Sequence, residues 1–251
     1  MLELEPQIEH VEGAPGKRLT WLVDSFLYPI SAAGLTMLGM FVLLPFVLKL
    51  ILQGLVWLGI PAIIVPAAFI FLIIRCIIMF YMFWYLGFCI RESAEGHFRA
   101  PDTLAPDSDD GIGETIRQTL MILGTAAVCL LPGIVYYLTK DTIDINFWLL
   151  LAAGGFFLPM AMLSVVMQDG LWGLNPFGIV VSIIRTFLKY CCVTGMFYVP
   201  IAIIAYVMIY VPKDNVVMKL LFRAMYVYLL IVASHMLGRF FYNNEGRLDW
   251  F

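Results

Sequence analysis

Charge is what this chain has least of. Lys, Arg, Asp and Glu together make up 13% of its 251 residues, while 62% are hydrophobic. A water-soluble domain carries about a quarter charged residues, so the polar surface here is too small to cover a globule in water. Strong charge of either sign is also missing, since the net charge is -3, which argues against a nucleic-acid partner. The five cysteines (Cys76, Cys89, Cys129, Cys191, Cys192) lie inside or at the ends of apolar runs. None forms a CxxC pair or has a histidine close by, so they read as small packing residues and no metal or cofactor is expected of them. There is no GxSxG, no P-loop and no pair of carboxylates within an apolar run, and the three histidines are too scattered for bis-His haem ligation. An enzyme therefore has little to stand on. No cleavable signal peptide is expected, because an acidic stretch precedes the first apolar run and no small-residue cleavage site follows it.

What the chain does have is long apolar runs. A bilayer core about 30 Å thick needs roughly 20 apolar residues per helix, and six segments meet that: about 31–58, 61–90, 116–138, 147–167, 191–211 and 217–241. The expected fold is all-α, a polytopic transmembrane bundle forming one membrane domain over 17–251 behind an acidic tail, 1–16, that carries Glu3, Glu5, Glu9 and Glu12.

Two further segments are amphipathic. Over 17–28, Leu19, Leu22, Val23, Phe26 and Leu27 recur with helical spacing opposite Lys17, Thr20, Asp24, Ser25 and Tyr28, before Pro29 breaks the pattern. Over 178–190, Ser182, Arg185, Thr186 and Lys189 share one stripe. As a spanning helix, the second would place two cations in hydrocarbon at roughly 2.5–3.5 kcal/mol each, whereas an in-plane helix places Arg185 and Lys189 at lipid phosphates. Both segments are read as in-plane helices. Each leads into a span, and Gly39-Met40-Phe41 and Gly195-Met196-Phe197 follow with Pro45 and Pro200 beyond, which suggests a duplicated unit.

The polar segment 91–115 reads as a loop in which Pro101, Pro106, Gly111 and Gly113 interrupt any helix. Thr125, Cys129 and Gly133 recur every fourth residue in the third span, and Ala152 to Gly155 offer small residues in the fourth, so these two spans should pack as a close hairpin. Six spans put Lys17, Arg18, Arg91, Arg99, Arg117, Arg185, Lys189, Arg239 and Arg247 on one face and Lys140, Lys213, Lys219 and Arg223 on the other. The positive-inside rule then predicts an inner (plasma) membrane protein with both termini and the 91–115 loop in the cytoplasm.

Lys49 and Arg75 are the leading functional candidates, because charges within spans usually face a cavity or a partner. They either bind an anionic lipid headgroup or substrate, or snorkel to the nearest boundary. His235 and Arg239, one turn apart, are either a proton-sensitive pair or structural residues near a helix end. Glu92, Glu95 and His97 superficially suggest a metal site, yet lack a recognised ligand spacing. Asp169 reads as the cap of a short turn around Gly170. Pro45, Pro66, Pro132, Pro159 and Pro200 place one proline in each of the first five spans, either kinking a helix or interrupting it as transporters do at a central site.

Four stretches carry a resemblance: Phe26-Leu27-Tyr28-Pro29, Arg91-Glu92-Ser93-Ala94-Glu95-Gly96 with Pro101 and Pro106 beyond, Asp169-Gly170-Leu171-Trp172-Gly173-Leu174-Asn175-Pro176, and Leu237 to Tyr242 running on to Leu248-Asp249-Trp250. In this order the chain resembles a family of uncharacterised multi-pass membrane proteins of bacteria and archaea, a domain of unknown function. That resemblance implies a helical bundle and no activity or catalytic residues. The functional expectation is a non-catalytic scaffold or accessory subunit, contacting membrane lipids, anionic ones included, and protein partners at its cytoplasmic face. The alternative is a small transporter or lipid-handling protein that uses Lys49 and Arg75 on an anionic ligand.

Overall fold

The computed structural model describes residues 21–57, 59, 61–97, 99–101, 112–210, 216–248 and 250. The acidic tail, the first four residues of the 17–28 segment and most of the acidic loop lie outside these. Among the described residues every regular element is helical: α1 (Trp21–Leu27), α2 (Ala32–Trp57), α3 (Pro61–Ala94), α4 (Ile112–Lys140), α5 (Ile145–Met167), α6 (Pro176–Arg185), α7 (Phe187–Tyr210) and α8 (Val216–Leu248). Short 3-10 turns over Tyr28–Ile30 and Leu171–Leu174 lead into α2 and α6. Six of the helices, α2, α3, α4, α5, α7 and α8, are long and apolar enough to cross a membrane.

These spans alternate in direction, so the starts of α2, α4 and α7 share one end of the bundle with the ends of α3, α5 and α8. We call this the termini face, and the opposite end, where α2 turns into α3 and α4 into α5, the hairpin face. At 1.5 Å per residue α3 is roughly 50 Å long and α8 about the same, well beyond a 30 Å core.

The observed limits correct several expected ones. Arg91 and Glu92 are still inside α3, and Gly113 lies within α4, so the connection between these helices is shorter than 91–115. The amphipathic segment 178–190 is not one helix. Asn175 caps α6 by accepting a hydrogen bond from Phe177 N at 3.1 Å, with Pro176 in the first turn, and α6 stops at Arg185. Thr186 then breaks the helix while its Oγ1 donates back to Ser182 O at 2.7 Å, and α7 begins at Phe187, taking Lys189 with it. The interrupted spans are absent too: α2, α3, α4, α5 and α7 each continue through their proline.

The packed core lies toward the termini face. Buried Tyr85, Leu86, Cys89, Ile90 and Ala94 of α3 meet Val227, Ile231 and Leu237 of α8, with Met37 and Phe41 of α2 on one side and Met160, Leu163 and Val166 of α5 on the other. Two glycines set the spacing. A side chain at Gly154 would collide with the Cys129 carbonyl, which seats α5 on α4 in the expected small-residue hairpin. One at Gly238 would overlap Ile90 O and Ser93 Cβ, so α8 lies backbone to backbone on α3. By contrast Val65, Phe69, Ile70 and Ile77, in the part of α3 nearer the hairpin face, point away from the protein.

Candidate functional site

Lys49 stands on α2 two turns before its end at Trp57, roughly 12 Å from it along the axis. Arg75 stands on α3 roughly 21 Å from its start at Pro61. Helical side chains lean toward their own N-terminus, and α2 and α3 run in opposite directions, so the Lys49 and Arg75 stems reach toward each other. They meet in one cleft of about 210 Å³, whose other walls are Pro45, Leu48, Leu52, Ala68, Phe71 and Leu72. Both cations are exposed at the protein surface. A third cation lies nearby but outside the cleft walls: Arg223, on α8 roughly 10 Å from its start, is partly buried and close enough to Arg75 for the two charges to repel. Counting Arg223 with the hairpin-face loop charges, as sequence alone suggests, hides this convergence. No acid occurs from Ser25 to Arg91 or from Val216 to Asn244, so α2, α3 up to Arg91 and α8 up to Asn244 supply no counter-charge.

The other candidates are placed differently. His235 does not form its main contact with Arg239. It is buried, with Nδ1 at 2.7 Å from Ser93 Oγ on α3 and its ring stacked on Tyr28 at 3.9 Å between centroids. Arg239 lies over the Tyr242 ring at 4.9 Å. A hydrogen-bonded serine and histidine are a nucleophile and base in many hydrolases. Here both are fully enclosed and Tyr28 covers the imidazole, so no carbonyl group reaches Ser93 Oγ as folded.

Arg185 and Lys189 both reach the end of α8: Arg185 Nη1 donates to Arg247 O at 3.4 Å and Lys189 Nζ to Asn244 Oδ1 at 2.9 Å. Cations at a helix C-terminus complement its dipole. Ser182, expected on the polar outer stripe, is instead buried and accepts from Trp250 Nε1 at 2.8 Å. Besides Asn175, Arg185 and Lys189, α6 and its flanks expose the apolar residues Leu171, Trp172, Phe177, Ile184, Phe187 and Leu188.

Asp169 is not a cap. It adopts a φ of +50°, and its carboxylate pairs with Arg91 at 3.1 Å and Arg117 at 2.7 Å, tying the ends of α3 and α5 to the start of α4. Partial burial acts to raise its pKa, but the hydrogen bond from Arg117 and the charges of Arg91 and Arg117 outweigh that and hold it below the ordinary range. The spacing of these three in sequence reveals nothing. Their common origin at the termini face was the available signal.

Glu92, Glu95 and His97 do come together, with ligand atoms within 4.8 Å of one another, because the chain turns back after α3 and His97 N donates to Glu92 O at 3.1 Å. His97 Nδ1 lies 3.2 Å from Glu92 Oε2, the geometry of an ion pair. On the hairpin face Asp144 caps α5, accepting from Phe147 N at 3.0 Å and from Tyr136 OH at 2.7 Å. The Tyr136 hydrogen bond, with that of Phe147, keeps its carboxyl below the ordinary value.

No family model, curated protein or solved structure matches this chain.

Proposed function

We propose that this multi-pass membrane protein binds an anionic ligand in the α2/α3 cleft, which puts it in the class of small transporters and lipid-handling proteins. The observation that carries this is that Lys49 and Arg75 line one cleft with Arg223 near Arg75, while the nearest acids of α3 and α8, Glu92 and Glu245, stand at the far, termini-face ends of those helices. Cations in hydrocarbon are costly, and two that repel each other are costlier still. Snorkelling does not separate Lys49 from Arg75, since helix direction aims those two stems toward each other, and Arg75 and Arg223 lean the same way. An anion seated between them turns the repulsion into attraction.

A plasma-membrane location with cytoplasmic termini and a non-catalytic role belong to the same proposal. The scaffold reading competes with it. Lys49→Met together with Arg75→Met separates the two, since Met suits lipid and leaves the fold intact. Native mass spectrometry of the purified full chain with phosphatidylglycerol and with inorganic phosphate should show bound anion falling at least about tenfold in the double variant, the loss of one ionic contact or more. Proteins that co-purify should be unchanged. Loss of those proteins with anion binding intact would overturn the proposal in favour of the scaffold.

A further inference from the structure

We infer that the ligand is a phosphate-bearing lipid drawn from the leaflet at the hairpin face, with Arg223 as its third binding residue; this rests on the anion-binding proposal above. Three features select it. First, the donors suit phosphate. Arg75 and Arg223 each offer a planar fork that engages two oxygens at once, and Lys49 adds a point charge. A carboxylate has only two oxygens for three cations, whereas a phosphodiester adds its ester oxygens as acceptors.

Second, the walls suit an acyl chain. Apart from Lys49 and Arg75 the cleft is lined by Pro45, Leu48, Leu52, Ala68, Phe71 and Leu72. Outside it, Val47 and Ile51 of α2 and Phe69 and Ile73 of α3 are exposed, so the cleft opens sideways onto surface that only lipid would favour. A soluble anion would find no polar lining besides the cations.

Third, depth selects the leaflet. Arg223 and Lys49 lie roughly 10 and 12 Å from the hairpin-face ends of their helices and Arg75 roughly 21 Å from the start of α3. The first two are within reach of a headgroup drawn inward from that side, and Arg75 continues the series toward the middle of the bilayer. A second copy of this chain cannot serve as the occupant, because its spans hold no carboxylate at this depth.

The test uses the full chain in detergent and competes phosphatidylglycerol against phosphatidylcholine and inorganic phosphate by native mass spectrometry. Phosphatidylglycerol should be retained about tenfold over phosphatidylcholine, and inorganic phosphate at equal concentration should not displace it. Arg223→Gln should lower retention several-fold and Arg223→Lys should restore part of it, a pattern that a merely misfolded variant would not give. Displacement by inorganic phosphate would overturn the lipid assignment while leaving anion binding in place. Retention unchanged in Arg223→Gln would remove Arg223 from the site. A co-purified protein whose spanning helix carries an acid, lost in the same variants that fail to bind any anionic probe, would overturn both proposals.

Discussion

A single carboxylate, Asp169, holds two arginines from different helices, and its partly exposed position sets how much that can contribute. Exposed pairs are worth at most about 1 kcal/mol each, and all three side chains here are a third to a half exposed. Asp169→Asn keeps a residue that tolerates the left-handed backbone but removes the charge, so it should cost about 1 kcal/mol in detergent unfolding at neutral pH. The sign with pH follows from the lowered pKa. The contribution is fully present above the ordinary Asp value of about 3.9 and is lost as pH falls through the lower folded value. The gap between parent and variant should thus begin to close below about pH 4 and vanish once pH is below the folded value, and a gap that stays constant there would show that the pair is not its source. His235 presents a larger effect. His235→Ala would strand Ser93 Oγ and open a void beneath Tyr28, at about 2–4 kcal/mol. An unfolding midpoint close to the parent's would mean that the ring is not a packing element.

At the scale of elements, close approach of backbones decides which helices pair. Gly154 and Gly155 are neighbours on α5 with opposite surroundings. A Cβ on Gly154 would meet the Cys129 carbonyl, whereas one on Gly155 would find Tyr198 Oη at an ordinary 3.7 Å. Gly154→Val should therefore separate α4 from α5 and sharply reduce the yield of monodisperse protein, while Gly155→Ala should behave like the parent in size-exclusion chromatography. Equal behaviour of the two would refute the packing. The small-residue stripe was legible in the sequence because such residues recur with helical spacing. The break at Thr186 was not, since the polar stripe runs unchanged through it; it shows only in the structure, where Thr186 Oγ1 donates back to Ser182 O and Ser182 is docked under Trp250.

For the whole molecule, the arrangement of basic residues predicts which face meets the cytoplasm. With Glu95 at the end of α3 and Thr142 between α4 and α5, both exposed, single cysteines at these positions in a chain without its native five should differ in intact cells. An impermeant thiol reagent should label Thr142→Cys and spare Glu95→Cys. The reverse pattern would invert the topology and move the proposed lipid site to the other leaflet.

Helix class, the six spans and the small-residue hairpin follow from the sequence by itself, because the bilayer demands unbroken apolar length and lipid offers no other way to satisfy the backbone. Lys49 and Arg75 were visible as anomalies for the same reason. What they share was not visible. Residues 49, 75 and 223 are joined only when α2 and α3 run in opposite directions and α8 returns beside them, and the pairing of His235 with Ser93 or of Asp169 with Arg91 and Arg117 likewise spans long stretches of chain. Local periodicity records which face a side chain occupies. Which partner that face meets is decided by how the helices pack, and there the glycine contacts and the mutual repulsion of the cations come into play.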